Sequence, residues 1–254
     1  MSSGDTITQL IVTADDFNLS EGVSRGIIEA HHQGIVTETS VMVNLGDLRC
    51  AAAMLAAAPR LGVGLHLNIT RGCPVAPPDA VAGLLGPDGQ FLGALPAQLQ
   101  SAAVEAEFQA QLDTFIQAFG CLPQHLDTHH HVHQHPVVLE LVLDLAATLH
   151  LPVRSLDAPM RAAISARGLA SPAHFLGDAG DEPYWTVTRL LSTIQAIPPG
   201  VTELMCHPGY FDDAIAYSRY GRQRDIERQT LCSPEVVANL RQAEIQLVTY
   251  AALG

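Results

Sequence analysis

Short apolar runs alternate along this chain with longer stretches in which apolar residues recur every three or four positions. Leu10-Ile11-Val12-Thr13-Ala14 is apolar and β-branched, the pattern of a buried strand, and Asp15-Asp16-Phe17 follow at once. Ser20 stands where an N-cap belongs for a helix through Val23, Ile27 and Ile28, and Gly34 is placed to end it. A second strand is predicted over 35–44 and a helix over 48–58, stopped by Pro59. From Leu61 to Thr70 the alternation is strict: Val63, Leu65, Leu67 and Ile69 take one face, and Gly64, His66, Asn68 and Thr70 the other. Helical spacing returns over 102–119, closed by Gly120, and an apolar helix over 137–149 is opened by Pro136. Short strands are predicted over 153–156, 173–176, 202–206 and 245–250, with helices over 185–197 and from Ser233-Pro234 to about 243.

Strands that alternate with helices in this way build a parallel sheet. With seven or eight such units in 254 residues, a closed or partly closed (β/α) barrel is preferred over a doubly wound sheet. No linker, repeat or shift in composition divides residues 1–254, so one domain is expected. Residues 71–100 stand apart. Pro74, Pro77, Pro78 and the Pro87-Asp88-Gly89 turn interrupt any long element, and so long a connection is expected to be a lid or a cleft loop.

Composition narrows the partners. The formal net charge is -13, from 13 Lys+Arg against 26 Asp+Glu, which disfavours nucleic acid and anionic membranes and suits a neutral or amine-bearing substrate. The five cysteines form no C-x-x-C pair, so reduced, mostly buried thiols are expected rather than a disulfide framework or a zinc knuckle. There is no signal-peptide pattern and no run of 18 apolar residues, which points to a soluble, cytoplasmic protein without a membrane span. The apolar helices would tolerate a homodimer interface.

The candidate chemistry centres on residues 125–135, which hold six of the twelve histidines, with Asp127 among them. If the segment stays extended, Asp127, His129, His131 and His133 share one face. A histidine-rich solvated loop is the plain alternative. The rest of the chain supplies partners: Asp15 and Asp16, His66, His129 and His207 each fall near the C-terminal end of a different predicted strand, the rim where barrel enzymes gather catalytic groups. One carboxylate and two imidazoles, Asp16, His66 and His129, could hold a metal with positions left open. Asp15 is then suited to take a proton from an activated water, and His207 to give one to a leaving group. Mixed oxygen and nitrogen donors admit magnesium or zinc first, with manganese, cobalt or nickel also accommodated. No G-x-G-x-x-G, Walker A or G-x-S-x-G motif competes with metal-assisted hydrolysis of an amide or ester.

Several of these segments together resemble the YdjC-like carbohydrate deacetylase family, whose best-known activity is chitooligosaccharide deacetylation. They are Thr13-Ala14-Asp15-Asp16-Phe17, Ser20-Glu21-Gly22, Gly26-Ile27-Ile28-Glu29-Ala30, Gly34-Ile35-Val36-Thr37, Val63-Gly64-Leu65-His66-Leu67, the run from His125 to His133, and Met205-Cys206-His207-Pro208-Gly209-Tyr210. The resemblance runs in order from about residue 9 to 250. It implies a distorted TIM-like barrel, one divalent metal ion, and removal of acetyl groups from N-acetylated amino sugars or oligosaccharides. It also implies Asp16, His66 and His129 as ligands, Asp15 as base, and His207 as proton donor or substrate contact. Asp127 and His133 are expected to orient a ligand histidine or to touch substrate. Arg154 is expected to anchor a sugar hydroxyl or to pair with a carboxylate such as Asp15, a surface salt bridge being the plain alternative. Asn18 replaces the family's usual glycine, and asparagine tolerates the left-handed backbone a turn needs there. Residues 157–185 match no family pattern and are expected to line the cleft that selects the sugar. Two other readings share the same site: a non-haem iron oxygenase, which has little use for Asp15, and a catalytically silent carbohydrate-binding or metal-storing barrel.

Overall fold

The first apolar run forms β1 (Thr8–Phe17), in which every residue from Leu10 onward is buried. The computed structural model describes residues 7–253. Around β1 stand β2 (Glu38–Val41), β3 (Gly62–Leu67), β4 (Leu126–Thr128), β5 (His174–Leu176) and β6 (Gly200–Cys206), in the order β4-β3-β2-β1-β6-β5. All pairings are parallel, and β7 (Gln246–Val248) lies against the first half of β1. The result is a curled, incomplete barrel. Between β4 and β5 the hydrogen-bonded ring is interrupted, and the segment after Leu151 fills the gap: Val153 bridges Leu126, its N–H donates to Ala170, and Ser155 Oγ donates to the Pro172 carbonyl.

Among the described residues eight α-helices cover the sheet: α1 (Glu21–Gln33), α2 (Leu48–Ala56), α3 (Ser101–Phe119), α4 (Pro136–Leu149), α5 (Ala158–Ala166), α6 (Val187–Ile194), α7 (Gln223–Leu231) and α8 (Pro234–Gln242). Their starts and stops are written in the sequence. Ser20 Oγ caps α1 through the Val23 N–H, Asp47 caps α2, and Gly120 ends α3 in the left-handed conformation at φ 71°. Apolar stripes such as Val138, Val142, Leu143 and Ala146 of α4 are buried within the core.

Several expectations needed correction. Strands predicted over 35–44, 61–70 and 245–250 are shorter, and 153–156 contributes one bridge rather than a strand. The histidine segment does not stay extended. β4 stops at Thr128, and His129–Gln134 turns as a 3-10 coil with His130 and His131 at φ 56° and 51°. His129, His131 and His133 therefore do not share a strand face with Asp127. The thiols are free, but Cys50, Cys73 and Cys121 are exposed, so "mostly buried" does not hold. Outside these corrections, residues 71–100 form two 3-10 turns and a Leu85–Phe91 bridge, with Val81, Leu84 and Phe91 buried. The buried Glu107 carboxylate of α3 accepts the Val75 and Ala76 N–H groups and fastens the segment down.

The concave side of the sheet is polar. Thr13 and Arg154 both donate to Glu203, Tyr250 donates to the other Glu203 oxygen, and its N–H reaches Glu38. His125 stacks on Tyr250 at 3.9 Å between centroids and faces Glu38. The small residues of β3 make room for this layer: a Cβ on Gly62 would overlap the Glu38 carboxylate, and one on Gly64 would overlap the His125 ring. Gly64→Ala is expected to lower unfolding free energy by about 1–3 kcal/mol, the usual cost of overpacking a core. Urea denaturation measures this, and an unchanged midpoint would mean that the ring has room to move.

Candidate metal centre

Two neighbouring residues of a regular strand point to opposite faces, yet Asp15 and Asp16 both line one cleft. The backbone explains it. The β1–β2 register shifts between Ala14 and Phe17, and Asp16 sits in the left-handed region at φ 71°. A non-glycine residue held there stores strain, and such strain concentrates at functional positions. Asn18 follows in the same region at φ 74°, with its side-chain amide donating to the Met42 and Leu45 carbonyls. The asparagine therefore keeps the turn and also fastens β1 to the loop after β2.

Asp16 Oδ1 lies 3.0 Å from His129 Nδ1 and 3.3 Å from His66 Nε2. Donor atoms of the three residues all fall within 4.8 Å of one another, and all three residues are buried. His66 comes from the polar face of β3, and His129 from the first position after β4, before the chain turns away. The other nitrogen of His66 faces Asp127 Oδ1 at 2.8 Å, which leaves Nε2 free to act as a ligand. Asp127 is in turn held by Ser40 Oγ at 2.7 Å and Arg154 at 2.9 Å.

The electrostatics fit a cation. Burial opposes charge on Asp16, but Arg224 and His129 outweigh it and hold its carboxyl well below the usual carboxylate range. Asp127 is likewise held well below that range, against its burial, by Arg154 and His66. Burial also works against a charged His66, yet Asp127 and Asp15 overcome it and raise the imidazole to about 10. At His66, among Asp15, Asp16 and Asp127, positive charge is favoured, and the mixed carboxylate and imidazole donors suit a divalent ion.

Arg154 is fully buried and is not a surface ion pair. Its NH1 and NH2 each donate to one oxygen of Asp15 at 2.7 Å, and the same guanidinium reaches Asp127 and Glu203. Asp15 is thereby fixed in a fork geometry beside His66. His207, just past β6, lines the cleft from the other side. Its N–H donates to Glu227 at 2.6 Å, and its ring meets Tyr220 edge to face at 5.3 Å. Burial, reinforced by Arg224, pushes this imidazole down to about 4 against the pull of Asp16. His133 is elsewhere: it is fully buried, exchanges hydrogen bonds with Thr128 and does not line the cleft.

Two contributors escaped the sequence reading. Arg224 of α7 donates to Asp16 Oδ2 at 2.5 Å, and Glu227, one turn on, holds the Trp185 and His207 N–H groups and the Tyr220 hydroxyl. Their helix is too polar for an apolar stripe to announce it; the Arg-x-x-Glu spacing, which places both on one helical face, was the available signal. The cleft measures about 480 Å³. Its walls include His131, Arg71 from the start of the 71–100 segment, and Asp178–Gly180 from the 157–185 segment.

The histidines set a pH dependence for the metal-free protein. Burial lowers His131, His133 and His207 to about 4, 3 and 4, so below 6.5 the unfolded chain binds protons that the folded chain refuses. Their contribution is lost as pH falls. His66 and His125 are raised to about 10 and about 9, so theirs is complete below 6.5 and lost as pH climbs through those values. Calorimetry of the metal-free protein is expected to give the highest Tm near pH 6.5. A Tm that keeps rising toward pH 9 would contradict these assignments.

Comparison with known proteins places the chain in a family. The model of the YdjC-like protein family matches residues 9–242. A carbohydrate deacetylase of Brevibacillus brevis is 36% identical, with 97% of this chain and 100% of that protein aligned. A chitooligosaccharide deacetylase of Proteus mirabilis is 34% identical over 96% of this chain and 98% of its own length. A solved structure from Enterococcus faecalis V583, provisionally described as a cellobiose-phosphate cleavage protein, superposes with a TM-score of 0.89 at 28% identity, covering 98% of this chain and 99% of that one. The chain belongs to the YdjC-like protein family.

Proposed function

We infer that the protein is a hydrolase and a carbohydrate deacetylase, and we propose that it cleaves the acetamide of N-acetylated amino sugars at a divalent metal site. The observation that carries the reading is convergence: Asp15 and His207 line the same cleft as the Asp16, His66 and His129 donor group. Those three residues would hold the ion, with magnesium or zinc the first candidates. Such an ion supplies polarisation of the acetyl carbonyl and acidity to a water molecule.

The chain's own groups do the rest. Asp15 takes the proton of the attacking water, and Arg154 keeps both of its carboxylate oxygens in place. Asp127 fixes the orientation of the His66 ring, and Ser40 and Arg154 fix Asp127. His207 gives a proton to the departing amine. It is uncharged at rest, so the proton it gives is the one the attacking water loses, passed on from Asp15 as negative charge develops on the substrate. Hydroxyl adds to the acetyl carbon and that proton to the nitrogen as the C–N bond breaks. His207→Asn is expected to reduce kcat by about 10²–10³, within the range for loss of a general acid.

The test is a panel of N-acetylated sugars offered to protein stripped of metal and reloaded with single divalent ions, with acetate quantified. Release that depends on the added ion supports the reading. Iron-dependent oxygen uptake without acetate would replace it with the oxygenase reading, against which the placement of Asp15 already argues.

A further inference from the structure

Two side chains meet across the mouth of the cleft, and the chemistry assigned so far uses neither. Arg71 follows the strand that carries His66, and Tyr217 precedes the helix that carries Arg224. Both line the cleft, and the Arg71 guanidinium lies 3.3 Å from the centroid of the Tyr217 ring. The backbones beneath them are fixed. The Arg71 carbonyl accepts from Asn44 at 2.8 Å and from Asn68 at 2.7 Å, and its N–H donates to Asn68 Oδ1 at 3.0 Å. On the other side Ile215 is fully buried, and its carbonyl accepts the Ser218 N–H at 2.9 Å.

Apart from their contact with each other, the side chains are unspent. Among the described residues Arg71 has no carboxylate partner and its guanidinium donates no hydrogen bond, although acidic groups outnumber basic ones 26 to 13. Arg71 covers one face of the Tyr217 ring, Tyr217 is still 52% exposed, and the five guanidinium N–H groups have no hydrogen-bond partner among the described residues. On anchored backbones beside a cleft, the pair matches the two aspects of a pyranose. Its C–H face stacks on an aromatic ring, and its hydroxyl edge accepts from a guanidinium.

We propose that Arg71 and Tyr217 form the subsite that holds the sugar ring of the substrate at the cleft mouth, while its acetamido group reaches the metal centre. The proposal rests on the deacetylase reading for which bond is cut, but not for whether a sugar binds. Both are positioning residues: they set where the ring lies and take no part in proton transfer. A purely structural clasp between the two loops would use the same contact, so the test must separate the roles.

Acetate release from diacetylchitobiose by the full-length, metal-loaded protein is measured for wild type, Arg71→Ala, Tyr217→Ala and Tyr217→Phe. Loss of ring stacking is expected to raise KM about ten-fold in Tyr217→Ala, equivalent to about 1.4 kcal/mol, with kcat within about three-fold and Tm unchanged. Arg71→Ala should move in the same direction, and Tyr217→Phe, which keeps the face, should restore the wild-type KM. Unchanged KM in both alanine variants, or a fall in Tm and kcat at constant KM, would overturn the proposal. If wild type releases no acetate from any sugar, the deacetylase reading fails. Calorimetric binding of chitobiose, which needs no turnover, then decides the subsite: affinity about ten-fold weaker in Tyr217→Ala sustains it, and equal affinity ends it.

Discussion

Asp15→Asn is expected to keep its divalent ion and lose about 10²–10⁴ in kcat, the range for removal of a general base. Asparagine has the same shape and can still accept from Arg154, which Asp127 and Glu203 also hold. The donor group of Asp16, His66 and His129 is untouched, so ion affinity should stay within a few-fold. One buried negative charge is lost beside a buried guanidinium, and Tm is expected to fall without preventing folding. Metal content, Tm and kcat measured on the same preparation separate these effects. Full turnover in the variant would remove Asp15 as the base and turn attention to the remaining cleft histidines.

Asp16→Ala should abolish ion binding and turnover together. Asp16 Oδ1 is the atom that the His129 and His66 imidazoles both face, and Oδ2 is the anchor of Arg224. Removing the carboxylate deletes the one negative donor and leaves a buried guanidinium unpaired next to the site, which repels a cation. The strand geometry adds to the effect: alanine tolerates φ 71° less well than aspartate, by roughly 1 kcal/mol. Equilibrium dialysis against a single divalent ion is the check. Stoichiometric binding by Asp16→Ala would place the metal elsewhere.

These two neighbours show how much of the site was legible in the sequence. That a pair of carboxylates stands at the rim of the sheet could be read from their place at the end of an apolar run. How they come to face the same way could not, because it depends on a register shift and a left-handed residue inside a strand. His66 was legible through strict alternation in β3, where glycines share its face. The histidine segment was legible as a cluster near a strand end but not as structure: alternation predicted a strand, whereas left-handed turns at His130 and His131 release the chain after His129. His133, which the pattern placed on one face with His129, is consequently buried and does not line the cleft. Arg154 illustrates a further limit. Its partners Asp15, Asp127 and Glu203 lie on three different strands, and only the curl of the sheet brings them together. Arg224 and Glu227 were the least visible, since α7 has no apolar stripe and the segment before it contains no strong strand signal.

The most direct measurement pairs metal occupancy with acetate release. Protein stripped of metal is titrated with one divalent ion, and bound ion per chain is determined on the samples used for turnover of diacetylchitobiose. No acetate is expected at zero occupancy, then a linear rise with bound ion and a plateau at one ion per chain. Acetate release from metal-free protein, or none with the site filled and the sugar panel exhausted, would contradict it.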